Sequence, residues 1–199
     1  MAAPCLLVTG FGPFLQVSEN PSGLVARALD GELLDGIEVR GVELSVAFER
    51  IAPEYAAALA GLAPRTPLAL VSLGVHREGW FRLEERARPE LASDRLDNDG
   101  RPAAAMGRLG EGELHTGLDL DALSGALLAG GAGEVRRSDD AGGYVCERTY
   151  YEVLERAGEL GIPGLFLHVP PVEFVPAVEQ RGPVLALLRE VLRQARSAQ

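Results

Sequence analysis

A chain of 199 residues, 47% hydrophobic and 24% charged, has the composition of a globular protein with a sizeable core. Its formal net charge of −10 argues against a main role on nucleic acid or an anionic membrane, and its two cysteines support neither a disulfide framework nor a zinc cluster. All 19 basic residues are arginine, which excludes a P-loop lysine, a Schiff-base lysine and a Ser–Lys dyad together.

Cys5-Leu6-Leu7-Val8-Thr9 is a continuous apolar run closed by Gly10, the pattern of a central strand. No basic segment precedes it and no apolar run is long enough to span a bilayer, so a cytoplasmic protein with no membrane partner is expected. Gly10 to Phe14 is a turn-rich loop. Its Phe11 and Phe14 either plug the core below or line an apolar pocket at the strand's C-terminal end, where ligands bind in open α/β sheets. Asn20-Pro21-Ser22 starts a helix that Asp30-Gly31 ends. Ile37 to Leu44 alternates as a strand, Phe48 to Leu62 reads as a helix, and Leu68 to Gly74 is another buried strand. This alternation argues for an α/β layered fold.

Gly74 to Glu90 is dense in charge, and Glu84-Glu85-Arg86 reads as a solvated face. Asp97-Asn98-Asp99-Gly100 is a turn, and residues 101–117 read as a long surface loop. Leu120, Leu123, Leu127 and Leu128 mark a helix, and residues 133–138 a short strand. Leu165 to Val169 is an apolar strand halted by Pro170-Pro171, and a last amphipathic helix is expected after Pro183. No repeat or linker divides residues 1–199, so a single domain is expected.

Chemistry concentrates at Asp139 to Tyr151. Cys146 falls one or two residues into a helix whose Tyr150, Val153, Leu154 and Ala157 continue its apolar stripe. A thiol there lies near unpaired N–H groups and the positive end of the helix dipole, a setting that favours thiolate and could hold an oxyanion. The plainer alternative is a small buried hydrophobe. Thiol acyl transfer also needs a histidine and a polar group to orient it. His168 ends a buried strand, His76 sits among charges and His115 lies in a glycine-rich loop; Glu85, Glu84 and Asp97 are the available carboxylates. With no HExxH, no CxxC, no GxSxG and no GxGxxG, neither metal nor cofactor is expected.

Three blocks carry a resemblance. Val8 to Phe14 with Asn20-Pro21-Ser22, Ser138 to Cys146 with Thr149-Tyr150-Tyr151, and Phe166 to Pro170 together resemble the pyroglutamyl peptidase I family of cysteine peptidases, also called pyrrolidone-carboxylate peptidases. The resemblance implies a single-domain three-layer α/β/α sandwich with a mixed, mostly parallel central sheet. It further implies hydrolysis of the N-terminal L-pyroglutamyl residue of peptides through a thioester, by a metal-free triad in a homo-oligomer, often a tetramer. Within it, Cys146 matches the nucleophile and His168 the histidine, while Phe11, Phe14 and Asn20 match the residues around the lactam. Counting between Gly74 and the Asp97-Asn98 turn places the carboxylate on Glu85, with Glu84 one residue away as the alternative. The chain departs from the family pattern at His76-Arg77-Glu78, at Glu90 and at Glu147. Those departures leave two other readings: an impaired member acting as a binding or structural protein, or a different cysteine amidohydrolase on the same scaffold.

Overall fold

The computed structural model describes residues 3–15 and 17–197. One seven-stranded sheet runs through it in the order β2-β3-β1-β4-β9-β5-β8. Its strands are β1 (Pro4–Phe11), β2 (Leu33–Leu34), β3 (Ile37–Leu44), β4 (Thr66–Val75), β5 (Phe81–Glu84), β8 (Val135–Ser138) and β9 (Gly164–Val169). β1 pairs in parallel with β3 and β4, β4 with β9, and β5 with β8. β2 and β5 run antiparallel to β3 and β9. A two-stranded ribbon, β6 (Arg86–Ala87) with β7 (Leu114–His115), stands apart.

Five helices cover the sheet: α1 (Pro21–Leu29), α2 (Ile51–Ala60), α3 (Leu120–Ala129), α4 (Val145–Leu160) and α5 (Ala177–Ser197). Successive strand side chains point to opposite faces, so each buried strand feeds two cores. Leu6, Val8, Val71, Leu73, Leu165 and Leu167 pack with α1, α3 and α5. On the other face Cys5, Leu7, Leu70 and Phe166 pack with Ile51 and Tyr55 of α2 and Tyr150 and Val153 of α4. The result is a three-layer α/β/α sandwich with a mixed, mostly parallel sheet, as expected. Among the described residues no helix is long and apolar enough to cross a membrane.

Three elements differ from the sequence reading. Glu84-Glu85-Arg86 is not a solvated face throughout: Phe81–Glu84 is a sheet strand between β9 and β8 with Glu84 fully buried, while Glu85 and Arg86 stay partly exposed. Residues 101–117 contain a short 3-10 helix (Ala103–Met106) and β7. The last helix begins at Ala177, not after Pro183, which lies inside it. Buried Gln180 holds that early turn by donating from Nε2 to the carbonyls of Pro170 (2.8 Å) and Val175 (2.7 Å), bonds that help offset the helix hydrogen bond Pro183 lacks.

Candidate active site

The site forms where β1, β4 and β9 end, on the α2/α4 face. A cleft of about 890 Å³ opens there, and Cys146, His168, Phe11, Phe14 and Asn20 all line it. The structure thus brings together five of the six residues that the sequence singled out.

Cys146 is the second residue of α4. The turn before it needs glycine, because Gly142 and Gly143 have φ of 96° and 64°, in the left-handed region. Glu147, fully buried, reaches back to accept from Gly143 N–H (3.2 Å) and takes two further bonds from Arg88, through its main-chain N–H (2.7 Å) and Nη2 (3.0 Å). The residue that departs from the family pattern therefore ties the helix start to the segment after β5. Tyr150, Val153, Leu154 and Ala157 are buried below Cys146, as the helical spacing required.

Gly74 leaves room for the thiol. A Cβ there would fall 2.8 Å from the Phe166 ring and 3.1 Å from Cys146 Sγ. Phe166 is fully buried, with ring centroids 5.6 Å from Tyr150 and 4.9 Å from His168, so it has little freedom to move aside. Gly74→Ala is expected to destabilise the protein by about 1–3 kcal/mol, the usual range for overpacking a core, and to displace the thiol. Urea denaturation and Cys146 alkylation would check this; wild-type values in both would mean the contact is slack.

His168 is 2% exposed and pairs in register with Gly74 on one side and Arg82 on the other. Its Nδ1 lies 2.6 Å from Glu84 Oε1. A carboxylate accepts, so Nδ1–H donates to it, and in the neutral ring this leaves Nε2 as the acceptor that a general base requires. The expectation for Glu85 is thereby corrected. Glu85 accepts from Arg137 Nε (2.8 Å) on a partly exposed surface, away from His168. The reason is strand periodicity. Phe81 and Leu83 face the α1/α3/α5 core, so Arg82 and Glu84 share the opposite face with His168. That alternation was in the sequence, but the residue count between two anchors missed it.

The other candidates separate clearly. Asp97 accepts from the N–H groups of Phe48, Asp99 and Arg101 and shapes its own turn. His115 is exposed. His76 is closer than expected: its side chain is almost wholly buried, its ring centroid is 5.7 Å from that of His168, and it lines the cleft. Its Nδ1 lies 2.7 Å from Glu78 and its Nε2 2.6 Å from the Trp80 carbonyl. Burial is the main cause that lowers its pKa. Phe11 and Phe14 pack against the α2/α4 core and still reach the cleft. Asn20 caps α1, accepting from Ser22 N–H (3.2 Å) and Oγ (2.8 Å), and donates to the Gly12 carbonyl (3.0 Å), so most of its hydrogen-bonding capacity shapes the loop.

The electrostatics of the thiol run against the helix-dipole expectation. Burial pushes the Cys146 thiol up to about 12; the Glu84 charge adds to this and Arg82 opposes it. Burial thus favours the protonated thiol, in the same cleft as an imidazole whose Nδ1 is engaged by Glu84.

The pyroglutamyl peptidase family model matches residues 5–194. The pyrrolidone-carboxylate peptidase of Saccharolobus islandicus is 31% identical over 180 residues, which cover 88% of this chain and 84% of that protein. That of Klebsiella pneumoniae is 29% identical, covering 96% and 90%. The crystal structure of the Thermus thermophilus pyrrolidone carboxyl peptidase superposes with a TM-score of 0.78 at 30% identity over 93% of this chain and 99% of that one. The Thermococcus litoralis pyrrolidone carboxyl peptidase, at 21% identity, shares the fold with a TM-score of 0.84 over 100% and 97%. With the thiol and histidine in one cleft, the glutamate buried behind the histidine and the match running through nearly all its length, the chain belongs to the pyroglutamyl peptidase family of cysteine peptidases.

Proposed function

We propose that this protein removes N-terminal L-pyroglutamyl residues from peptides, with Cys146 as nucleophile, His168 as acid–base and Glu84 as the orienting carboxylate. The observation that carries this reading is the buried hydrogen bond from Glu84 to His168, whose ring shares the cleft with Cys146. As Cys146 Sγ attacks the pyroglutamyl carbonyl carbon, its proton passes to His168 Nε2, and Glu84 steadies the imidazolium through Nδ1–H. Main-chain N–H groups at the start of α4 receive the oxyanion. The C–N bond then breaks, the proton on Nε2 goes to the departing amine, and a thioester remains. His168 next takes a proton from water, whose oxygen attacks the thioester; the free acid leaves, and the proton returns to sulfur.

The cleft suits the acyl group. A pyroglutamyl ring is small and uncharged, so it asks for apolar walls and a few hydrogen bonds, not a carboxylate to pair a free amine. Phe11, Phe14, Val46 and Tyr144 supply such walls. The chain is read as one cytoplasmic domain over 1–199 with peptides as its partners. The family resemblance is the ground for proposing a homo-oligomer, to whose interface the exposed Phe174 and Val178 are available. The test is turnover of a fluorogenic pyroglutamyl amide with and without a thiol-alkylating reagent. Turnover that alkylation abolishes is expected. Stoichiometric alkylation of Cys146 without any turnover of the untreated protein would overturn the substrate assignment.

A further inference from the structure

Two glutamates with no solvent exposure flank the thiol, Glu84 on β5 and Glu147 on α4. Two buried negative charges beside a group that must itself become negative are costly unless each is paired. Each has an arginine: Arg82 Nε donates to Glu84 Oε1 (2.7 Å), and Arg88 Nη2 to Glu147 Oε2 (3.0 Å). Both arginines also hold Asp140, in the turn before α4. Arg82 Nη2 donates to its carbonyl (3.2 Å), and Arg88 Nη2 bonds its carboxylate.

Of the two, Arg82 lies at the reacting groups. It lines the cleft and sits opposite His168 in the strand register, on the same face. Its Nη2 is 3.3 Å from His168 Nδ1. Because Nδ1 already donates to Glu84, that approach is not a hydrogen bond; it sets a fixed positive charge beside the imidazole.

We infer that Arg82 is a positioning residue of this active site, holding Glu84 and the Asp140 carbonyl at once, so that the carboxylate–imidazole pair is fixed relative to the turn carrying Cys146 and a positive charge faces the developing thiolate. A guanidinium suits this because it donates from Nε and Nη2 in one plane. The charges acting on the Cys146 thiol are Glu84 and Arg82 from β5 and Glu147 from its own helix; His168, His76, Glu19, Arg77, Glu78, Arg95 and Glu173 line the same cleft. Of the three that act on the thiol only Arg82 is positive, and it opposes the rise that burial and the carboxylates impose.

The inference rests on Cys146 as the nucleophile, and alkylation of Cys146 tests it without requiring turnover. The experiment compares Cys146 alkylation rates from pH 7 to 10, with kcat and KM on the pyroglutamyl amide, in wild type, Arg82→Gln and Arg82→Lys. Arg82→Gln should alkylate roughly tenfold more slowly at a given pH, the effect of about one unit on the thiol from a lost neighbouring charge. Its kcat should fall while KM changes little. Arg82→Lys keeps the charge but not the two-point grip, so it should alkylate at close to the wild-type rate and still lose kcat. Wild-type alkylation in Arg82→Gln, or equal slowing in both variants, would overturn the inference, because a purely structural arginine would not be rescued by charge alone. If Arg82→Gln does not fold, Arg82→Lys decides: a tenfold slower alkylation there overturns it.

Discussion

Cys146→Ser is expected to abolish turnover in a protein that remains folded. The substitution changes one atom of a partly buried side chain that lines the cleft, and the residues packed below it are unchanged. The chemistry is not. Burial already pushes the thiol up to about 12, and a hydroxyl gives up its proton far less readily, so the same imidazole cannot generate a comparable nucleophile. The loss should reach roughly 10⁴-fold or more, the scale seen when a triad nucleophile is removed. Cys5 provides the contrast. It is fully buried on β1, in the α2/α4 core, and does not line the cleft. Cys5→Ser should keep its activity while losing about 1–3 kcal/mol of stability to an unsatisfied hydroxyl. Turnover measured beside thermal melts of both variants checks the assignment, and an inactive but folded Cys5→Ser beside an active Cys146→Ser would reverse it. The raised thiol also fixes a sign. Its thiolate fraction should grow about tenfold per pH unit below about 12, so wild-type alkylation should keep climbing through pH 9. A plateau below pH 8 would mean instead that the site rests as an imidazolium–thiolate pair.

Glu84→Gln is expected to lower kcat by roughly two orders of magnitude or more with little change in KM, an estimate scaled down from the triad aspartate. Glutamine keeps the shape of the side chain, but it no longer stabilises an imidazolium or fixes its tautomer by charge. Glu85→Gln should be nearly silent, because its carboxylate meets only Arg137 on a partly exposed surface. Alkylation should not fall in step with turnover in Glu84→Gln. The Glu84 charge raises the thiol, so removing it favours thiolate even as it removes support for the imidazolium. A damaging Glu85→Gln beside a silent Glu84→Gln would return the carboxylate to Glu85 and contradict the observed geometry.

Much of this was legible without the structure, for local reasons. Cys5 to Thr9, Leu68 to Gly74 and Leu165 to Val169 are continuous apolar runs because strands buried between two helical layers present apolar side chains to both faces. Cys146 could be placed at a helix start because glycines that must adopt left-handed φ and the stripe from Tyr150 to Ala157 are both written in neighbouring residues. What the sequence by itself determined was therefore the layered fold, with Cys146 at a helix start and His168 at the end of a buried strand, while it left open whether Phe11 and Phe14 plug the core or line a pocket.

Only the tertiary structure decided where the charges go. Arg82, Glu84, Arg88 and Glu147 look like solvated side chains, because charge in a linear sequence carries no record of its partner. They are drawn inward because β5 lies between β9 and β8, which sets Arg82 opposite His168 and sends Glu84 under the imidazole. Pairings across 84 residues, from Glu84 to His168, and across 59, from Arg88 to Glu147, follow from strand order and register, which local residue patterns do not contain. The choice between Glu84 and Glu85 rested on the same fact. One residue in a strand is the difference between the core face and the surface, and only the position of the neighbouring strands says which face holds the site.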